Sequence, residues 1–365
     1  MKIIFRISRL GFGGAEQVFI SLAKELALKY SFDIHFIVDS IIGENSQKVQ
    51  ELGFKLYSLE VKRNLYSIFK LAKLIDEIQP DIIISAYTDT NAACLISGRL
   101  AQHKAKIIVT EHASLHEHWR SKSVFKIFIL KFYVKKIYGL ASKVVCVSNG
   151  LANQVKELMG RDSSIKTIYN PVRKIDCIES VEKDKNFINL LAVGRISKPK
   201  DYLTVIKAVL KIKEKYRVRL NIVGGIFDRI EFDNIALFIK ENDLQSEINF
   251  IGYTDYLGKY YKSADVFVMC SAWEGFGNVL VEALSFGLPI VSTDCNFGPR
   301  EILEDGIHGV LVPVGDFNML AEAIIKQYIK PAHNRIELIK RSEFFSESEI
   351  AKKYYSLINE VIYEK

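Results

Sequence analysis

The chain has 365 residues, more than a single hydrophobic core usually serves, so two domains are expected. Apolar residues make up 49% and charged residues 25% of the sequence, a composition of folded globular enzymes that excludes an intrinsically disordered chain. The formal net charge of +7 favours anionic partners such as nucleotide phosphates, acidic lipid headgroups or nucleic acid, although ordinary dispersed domains carry a similar charge.

Short apolar runs alternate with longer segments of helical period from the first residues onward. The first predicted strands are residues 2–7, 33–38, 81–86, 106–110 and 143–147, with helices that include 15–30 and 65–78. A second series of strands follows at residues 189–193, 219–223, 248–251, 265–269 and 289–292, with a helix at 202–216. Several runs are continuously apolar, as in parallel strands covered on both faces, so the alternation predicts doubly wound α/β sheets.

The strand and helix pattern occurs twice, and the break lies near residues 170–185, where Asn170-Pro171 and a charged stretch at 179–185 are typical of a linker. The sequence therefore predicts an N-terminal Rossmann-like domain at 1–172, a C-terminal Rossmann-like domain at 185–345 and a final helical segment at 346–365. Ligands of such sheets bind at the carboxyl ends of the strands, so both domains are expected to turn their loops toward one cleft.

The cysteines and the start of the chain indicate a reducing, cytoplasmic compartment. The five cysteines are widely spaced and form no Cys-x-x-Cys pair, which predicts neither a structural zinc site nor a disulfide framework. The apolar run at residues 2–6 is too short for a signal peptide, and no stretch approaches the roughly 18 apolar residues of a membrane-spanning helix.

The most specific motif reads Glu-Gly-Phe-Gly-Asn-Val-Leu-Val-Glu, from Glu274 to Glu282, and follows a predicted strand. Gly275 and Gly277 leave the backbone bare where a helix should begin, and amides at a helix amino end suit an anion such as a diphosphate. The carboxylates would repel that anion unless they accept hydrogen bonds from sugar or ribose hydroxyls. A capped surface helix with two exposed glutamates is the alternative that the motif alone leaves open.

A basic loop opens directly after the first strand of the second domain. It begins at Gly194 and carries Arg195 and Lys200, which places two cations where ligands of such a sheet bind. Two cations can neutralise the charge of a leaving nucleoside diphosphate without a metal ion. An exposed basic loop with no ligand is the alternative.

The first domain has a glycine loop between its first strand and first helix, with Gly13, Gly14 and Glu16 at the helix start. The spacing is not Gly-x-Gly-x-x-Gly, and no acidic residue stands clearly at the end of the second strand in the context usual for a dinucleotide site, so a nicotinamide site is not favoured. A tight turn that admits an acceptor or a phosphate to the helix end is the preferred interpretation. His112 ends another strand at the same edge, where a catalytic and a structural role both stay open.

These motifs together resemble the family 4 retaining glycosyltransferases of the GT-B fold. The Glu-x7-Glu element of that family matches at Glu274 and Glu282, the Gly-Arg-x4-Lys element matches at residues 194–200, and the opening Gly-Gly-Ala-Glu matches at residues 13–16. The resemblance covers almost the whole chain.

Other segments extend the resemblance, and one departs from it. Residues 169–172 are similar to the interdomain segment of the family, and residues 293–302 are similar to bacterial members that build lipopolysaccharide, capsule or lipid-linked glycans. The departure is Gly224-Gly225-Ile226, where the family commonly has Gly-x-Gly with an acidic middle residue.

The resemblance implies a reaction and a set of site residues. A hexose or N-acetylhexosamine would pass, with retention of anomeric configuration, from a nucleotide diphosphate donor (UDP is expected) to a hydroxyl of a growing lipid-linked surface glycan, and the final helix would cross back onto the first domain. The implied catalytic residues are Glu274 and His112. The implied donor-binding residues are Arg195, Lys200, Gly275, Phe276, Gly277, Asn278 and Glu282. The implied acceptor and phosphate loop comprises Gly13, Gly14 and Glu16. The nucleotide sugar is a substrate, and neither a cofactor nor a metal ion is expected.

Residues 119–138 combine aromatic and basic side chains, as in segments that lie in a lipid headgroup layer. On a helical wheel, however, the apolar side chains fall nearly all round, so a helix half-packed on the first sheet is the alternative. The expected lipid-linked acceptor favours peripheral contact with an anionic membrane at the cytoplasmic face of the inner membrane.

Two other functions remain open, and a third is disfavoured. A sugar-nucleotide epimerase of the same fold would bind the same donor without transferring its sugar, and a catalytically silent protein would only bind a sugar nucleotide or a glycan. The combination of Glu274, Arg195 and Lys200 favours transfer over both. Nucleic-acid binding is not expected, because the basic residues form no stripe interleaved with aromatic residues outside 119–138.

Overall fold

The computed structural model divides the chain into two compact units. The first unit comprises Met1–Val172 together with Ser346–Lys365, and the second comprises Arg173–Phe345. The structure describes all residues except 12, 44, 63, 116–118, 120, 121, 162, 163, 177–182, 364 and 365. Phe12 of the glycine loop, Cys177, residues 179–182 of the charged stretch, and Arg120 and Ser121 of segment 119–138 therefore lie outside the described residues.

The described part of the first unit contains a parallel sheet in the order β3-β2-β1-β4-β5-β6-β7. Its strands are β1 (Lys2–Arg6), β2 (Asp33–Val38), β3 (Lys55–Ser58), β4 (Ile82–Ala86), β5 (Lys106–Glu111), β6 (Lys143–Cys146) and β7 (Ile165–Thr167). The helices between them are α1 (Gly14–Tyr30), α2 (Asn45–Glu51), α3 (Asn64–Ile78), α4 (Thr88–Leu100), α5 (Val124–Phe132) and α6 (Asn149–Met159). Helix α5 continues into a π-helical turn at Tyr133–Ile137 and a 3-10 turn at Tyr138–Leu140.

The second unit repeats the arrangement, with a parallel sheet in the order β10-β9-β8-β11-β12-β13 among its described residues. Its strands are β8 (Ile188–Val193), β9 (Val218–Val223), β10 (Ile248–Gly252), β11 (Val266–Met269), β12 (Ile290–Thr293) and β13 (Val310–Val312). Its helices are α7 (Tyr202–Lys213), α8 (Arg229–Glu241), α9 (Leu257–Ser263), α10 (Asn278–Ser285), α11 (Pro299–Ile302), α12 (Phe317–Ile329) and α13 (Arg335–Glu343). The predicted pair of doubly wound parallel sheets is therefore confirmed.

The sequence patterns did not predict three of the strands, and their position in the sheets explains why. Strands β3, β7 and β13 form sheet edges and have three or four residues, of which only Val312 is buried. The continuous apolar pattern that marks a covered central strand is therefore missing from them, whereas all five residues of β4 are buried. Helix α7 ends at Lys213 rather than at the predicted residue 216.

The last helix, α14 (Glu347–Tyr363), completes the core of the first unit, as the predicted fold class requires. The Tyr355 ring stacks on Tyr30 of α1 at 3.9 Å between ring centroids. The helix also buries its apolar face in the same cluster as the central strands. The members of that face are Ile350, Ala351, Tyr354, Leu357, Ile358 and Val361.

Parallel pairing positions the loops that carry the candidate site. In the first unit β4 lies between β1 and β5, so the loops after these three strands are neighbours at the carboxyl edge. In the second unit β8 lies between β9 and β11, and β12 follows β11, so four loops meet at the same edge. In the described part of the chain, no helix is both long and apolar enough to cross a membrane.

Candidate functional site

Two predicted donor-site residues from neighbouring strand ends meet directly in the second unit. The Lys200 ammonium lies 2.5 Å from the Oε1 atom of Glu274 and donates a hydrogen bond to it. The Ser271 hydroxyl donates to the same oxygen over 2.7 Å. Both donors therefore converge on Oε1, which leaves Oε2 of Glu274 as the oxygen able to accept a hydrogen bond from a ligand.

The loops that carry this ion pair are joined by short hydrogen bonds. The Ala272 amide donates to the Pro199 carbonyl over 2.8 Å, which links the loop after β11 to the loop after β8. The Thr293 hydroxyl, at the end of β12, donates to the Ser271 carbonyl over 2.6 Å. Three neighbouring strands thus hold the ion pair on rigid backbone rather than on a free loop.

The other predicted cation is arranged differently. Arg195 is exposed, and its guanidinium lies 4.5 Å from the centre of the Phe227 ring, which belongs to the loop after β9. Within the described residues, Arg195 has no ion-pair partner, whereas Lys200 has Glu274. At the carboxyl edge of the second sheet, the Arg195 guanidinium is therefore not neutralised by a described side chain, whereas Lys200 belongs to a neutral ion pair.

The glycine-rich segment between the two glutamates ends at the amino end of α10, as predicted. Gly277 occupies the cap position with φ of +101°, a backbone conformation that residues other than glycine rarely adopt. Asn278 is the first helical residue. Gly275 stands in the turn before the helix. Phe276 is only 2% exposed because its ring packs against Phe345, so its predicted contact with a donor has to come from its backbone.

Glu282 lies one helical turn into α10, on the face that packs against α9. The Tyr261 hydroxyl donates to its Oε2 atom over 2.7 Å. Burial raises the pKa of Glu282, and the Tyr261 hydrogen bond and the positive charge of Arg173 oppose that rise. Tyr261 therefore orients one oxygen of the carboxylate.

The predicted acceptor loop and His112 come together at the carboxyl edge of the first sheet. Gly13 caps α1, and a Cβ at this position would collide with the Glu16 carboxylate, which folds back over the loop. The Tyr87 hydroxyl donates to Glu16 over 3.4 Å, and the Tyr87 ring lies 6.3 Å from the His112 ring. Gly14 begins the helix. All four predicted residues of the first unit therefore border one corner of the sheet.

His112 is uncharged at neutral pH, because its enclosure by protein lowers the pKa of the imidazole to about 4. Its Nε2 atom lies 2.8 Å from the Thr110 hydroxyl, which itself donates to the Ser85 carbonyl over 2.8 Å. Since the Thr110 proton is used in that bond, Nε2 carries the ring proton and Nδ1 is the acceptor. The geometry therefore fits a hydrogen-bonding role rather than a cationic one.

The acidic residue that follows β2 is not in the context of a dinucleotide site. This residue is Asp39, which directly follows the strand. Asp39 pairs with the Arg6 guanidinium, which is fully buried at the end of β1, so this carboxylate neutralises an internal cation. Its position resembles that of a ribose-binding acid in dinucleotide folds, but its partner is already supplied by the chain.

A buried carboxylate stands directly before His112. Glu111 is 2% exposed, and its Oε1 atom accepts hydrogen bonds from Thr88, Asn91 and Tyr138. Burial raises the pKa of Glu111 to about 7, against the effect of these donors. Because Tyr138 lies in the 3-10 turn that ends the α5 segment, Glu111 ties that segment to the end of β5.

Helix α5 has two apolar faces, one buried and one exposed. This explains why apolar side chains fall nearly all round its helical wheel. Leu130, and Val134 in the following turn, are buried. The opposite face is exposed and comprises Val124 (84% exposed), Phe125 (74%), Phe128 (68%) and Phe132 (48%). At 3.6 residues per turn these four positions fall within an arc of about 100°. We call them the α5 apolar face.

Lysines surround the α5 apolar face. Lys122, Lys131, Lys135 and Lys136 are exposed. Lys126 differs, because it forms an ion pair with Asp89 at 2.9 Å and so fixes the helix to the start of α4. Trp119, which belongs to the same predicted segment, is 2% exposed and belongs to the interior.

Comparison with known proteins assigns the chain to a family. The family described as Glycosyltransferase Family 4 matches residues 12–174, and the family described as Glycosyl transferases group 1 matches residues 174–342. The chain is a family 4 glycosyltransferase. It is therefore a transferase enzyme, as the motifs predicted.

Relatives and solved structures agree with this assignment. The glycosyltransferase is 26% identical to a GalNAc-alpha-(1->4)-GalNAc-alpha-(1->3)-diNAcBac-PP-undecaprenol alpha-1,4-N-acetyl-D-galactosaminyltransferase of Campylobacter jejuni, over 99% of both chains. It is 26% identical to an uncharacterized glycosyltransferase of Methanocaldococcus jannaschii, over 64% of this chain and 61% of that protein. The crystal structure of HepE from Anabaena in complex with UDP superimposes with a TM-score of 0.82, at 18% identity, over 98% of this chain and 100% of that one. The GT-B fold is thereby confirmed.

Among the side chains that contact predicted site residues, sequence reasoning missed Ser271, Phe227, Tyr261 and Tyr87. Ser271 could have been found, since it is a hydroxyl at a strand end three residues before Glu274. The others had no such signal, because each touches its partner only after distant segments come together. The contacts of Phe227, Tyr261 and Tyr87 therefore depend on the tertiary structure, which residue type and spacing alone do not predict.

The raised pKa of Glu111 makes the stability of the glycosyltransferase depend on pH. The unfolded chain ionises this carboxyl near pH 4.5 and the folded chain near pH 7, so stability contributed by its neutral form is lost as the pH rises between those values. We expect Glu111→Gln, which stays neutral, to be less destabilised than the wild type on going from pH 5 to pH 8, by on the order of 1–3 kcal/mol. Urea unfolding followed by the fluorescence of Trp119, in a Trp273→Phe background, measures the difference.

Glu77→Gln is the matched control, since Glu77 is an exposed glutamate of the same unit. It should show the wild-type pH dependence. The same pH dependence in Glu111→Gln as in the wild type would mean that Glu111 is ionised in the folded protein throughout this range.

Proposed function

We propose that this glycosyltransferase moves a hexose or N-acetylhexosamine from a UDP-sugar to a hydroxyl of a lipid-linked bacterial surface glycan, with retention of the anomeric configuration. The observation that carries the proposal is the carboxyl edge of the second sheet, where an unneutralised Arg195 stands beside the Lys200–Glu274 ion pair. A diphosphate fits the cations, and a sugar hydroxyl fits the free oxygen of Glu274.

The donor phosphates are the natural partner of the two cations. As the bond between the anomeric carbon and the phosphate oxygen breaks, negative charge grows on the departing UDP, and Arg195 and Lys200 stabilise it. The amino end of α10, next to Gly277, adds the partial positive charge of a helix terminus. We expect that these groups make a metal ion unnecessary.

The two glutamates are assigned to hydroxyl groups of the donor. Glu274 would accept a hydrogen bond from the transferred sugar through Oε2, while Lys200 and Ser271 hold Oε1. Glu282 would accept from the ribose, with Tyr261 holding its other oxygen. Each carboxylate is therefore oriented before the donor arrives, which lowers the entropy lost on binding.

Retention follows from a front-face route. The acceptor hydroxyl would attack the anomeric carbon from the side on which UDP departs, and the departing phosphate oxygen would take the hydroxyl proton. No enzyme base is needed in this route, which suits a neutral His112 that can only exchange hydrogen bonds with a sugar. Gly13, Gly14 and Glu16 would border the acceptor and the phosphates.

Relatives support the substrate classes. HepE was crystallised with UDP, and the Campylobacter jejuni relative acts on an undecaprenol-diphosphate-linked glycan. A chain with the same fold and motifs is expected to use related substrates. An epimerase of this fold would instead convert a free UDP-sugar to its epimer, so product analysis without any acceptor separates the two functions.

Donor binding is the first test. UDP should raise the melting temperature and bind in isothermal titration, in buffer containing EDTA, while GDP and ADP bind more weakly. Because each cation makes charge-assisted contacts with the diphosphate, Arg195→Ala or Lys200→Ala should weaken UDP binding about 10- to 100-fold.

Matched controls come from the opposite edge of the same sheet. Arg217 and Lys215 are exposed there, and Arg217 lies over an aromatic ring, as Arg195 does. Arg217→Ala and Lys215→Ala should bind UDP like the wild type. Wild-type affinity in Arg195→Ala and Lys200→Ala, or binding that returns only with magnesium, would refute the assignment of the cations.

Transfer itself should depend on Glu274. We expect Glu274→Ala to lower the rate of sugar transfer from UDP-N-acetylhexosamines to undecaprenyl-diphosphate-linked sugars by about 100-fold or more, because the donor sugar loses its orientation. UDP affinity should be retained or increased, since Lys200 loses a competing carboxylate. Glu322→Ala, on the exposed side of α12, is the control and should transfer at the wild-type rate. Normal turnover by Glu274→Ala contradicts the proposed role.

The α5 apolar face supports a peripheral position at the cytoplasmic face of the inner membrane. Four apolar side chains exposed on one side of a helix favour transfer into the acyl boundary, and the surrounding lysines are complementary to anionic headgroups. The anchoring of the helix through Lys126 and Tyr138 would hold this face outward. Such a position would bring the enzyme to a lipid-linked acceptor.

Vesicle flotation tests the membrane position. Wild-type protein should float with vesicles that contain phosphatidylglycerol and less with neutral phosphatidylcholine vesicles, and the Phe125→Ser/Phe128→Ser variant should stay in the bottom fraction. Ile336→Ser, which replaces a side chain that is 72% exposed on α13, is the control. Flotation that is indifferent to anionic lipid, or equal in the double variant, would contradict the proposal.

A further inference from the structure

Arg195 lies on an aromatic platform that no family motif predicted. Its guanidinium carbon is 4.5 Å from the centre of the Phe227 ring. Phe227 is 70% exposed, so the ring is not part of the hydrophobic core and its presence at this position needs another explanation. The ring face carries partial negative charge, which attracts a cation placed over it.

Backbone hydrogen bonds fix this platform relative to Arg195. The Ile196 amide donates to the Gly225 carbonyl over 2.9 Å. The Ile196 carbonyl in turn accepts from the Phe227 and Asp228 amides, each at 3.0 Å. Ile196, which is next to Arg195, is therefore hydrogen-bonded to residues that stand before and after Ile226. These bonds connect the loop after β9 to the loop after β8.

An arginine held on a ring can still bind phosphate. The guanidinium is planar, and its N–H donors point outward in its plane, while the aromatic ring covers one face. Within the described residues no carboxylate pairs with Arg195, so its donors are not committed to a neighbouring side chain. The ring thus limits the conformations of a long exposed side chain without blocking its hydrogen bonds.

We propose that Phe227 is a positioning residue for donor binding, which holds the Arg195 guanidinium over its ring and so prepares it for the donor diphosphate. This inference rests on the proposed function, because it assigns Arg195 to that diphosphate. Phe227 acts through Arg195 and does not itself contact the phosphates. The two cations of the site are then held in different ways, Lys200 by the Glu274 carboxylate and Arg195 by the Phe227 ring.

A double-mutant cycle on UDP affinity tests this inference. By isothermal titration, Phe227→Leu should weaken UDP binding about two- to five-fold, the range of a cation–π contact at an exposed site. Phe227→Tyr and Phe227→Trp keep a ring and should bind like the wild type. In an Arg195→Ala background, Phe227→Leu should have no further effect, because the residue on which it acts is gone.

Phe187→Leu is the matched control. Phe187 precedes β8 at the amino edge of the same sheet, and two arginines lie over its ring, Arg217 at 5.1 Å and Arg219 at 4.3 Å. Loss of this second platform should leave UDP affinity unchanged. A fall equal to that of Phe227→Leu would indicate a general effect on the domain and overturn the inference.

The remaining outcomes are separable. If Phe227→Leu weakens binding equally with and without Arg195, the ring touches the nucleotide directly, and the positioning role is wrong. If Phe227→Leu binds UDP as tightly as the wild type or more tightly, the ring does not prepare Arg195. If Arg195→Ala itself keeps wild-type affinity, or the wild type binds no UDP, the proposed function fails first and the inference fails with it.

Discussion

Parallel strand pairing is the constraint on which the rest of this structure depends. It sends the carboxyl end of every strand to the same edge, so side chains far apart in sequence become neighbours there. In the second unit this edge joins Lys200, after β8, to Glu274, after β11, across 74 residues. In the first unit Tyr87, which follows β4, contacts both Glu16 of α1 and His112, which follows β5. The proposed site residues therefore stand on loops whose ends are held by the sheets.

The free enzyme keeps its charges in prepared positions. A cation that serves a phosphate is strongly hydrated or free to move unless a neighbouring group holds it, and either condition weakens binding. In the donor site proposed above, Glu274 holds Lys200, at the price that a diphosphate would have to compete with that carboxylate. Arg195 avoids it through a neutral ring, which needs no such exchange. At the same sheet edge, the Arg195 guanidinium therefore keeps its hydrogen-bond donors available, whereas the Lys200 ammonium is paired with a carboxylate.

Sequence patterns predicted the parts of the molecule that depend on local properties. The central strands carry continuous apolar runs because both of their faces are covered, so the sequence predicted them. The candidate site residues stand where these strands end, so their positions at the sheet edge were predicted as well. Edge strands such as β3 lacked that pattern. Apart from Ser271, the partners of the predicted site residues could not be predicted either. Phe227, for example, meets Arg195 only because the loops after β8 and β9 are hydrogen-bonded to each other. Likewise, the wheel of α5 gave no clear polar side, because one apolar face is buried and the other is exposed.

The return of α14 to the first unit affects how the chain is made. Ribosomes release the protein from residue 1 onward, yet the first unit lacks Ile350, Tyr354 and Ile358 of its core until the last residues emerge. The second unit, by contrast, is continuous from residue 173 to residue 345 and can close as soon as it leaves the ribosome. The unit that is synthesised first is thus completed last, and an incomplete chain contains a complete second unit joined to an incomplete first unit.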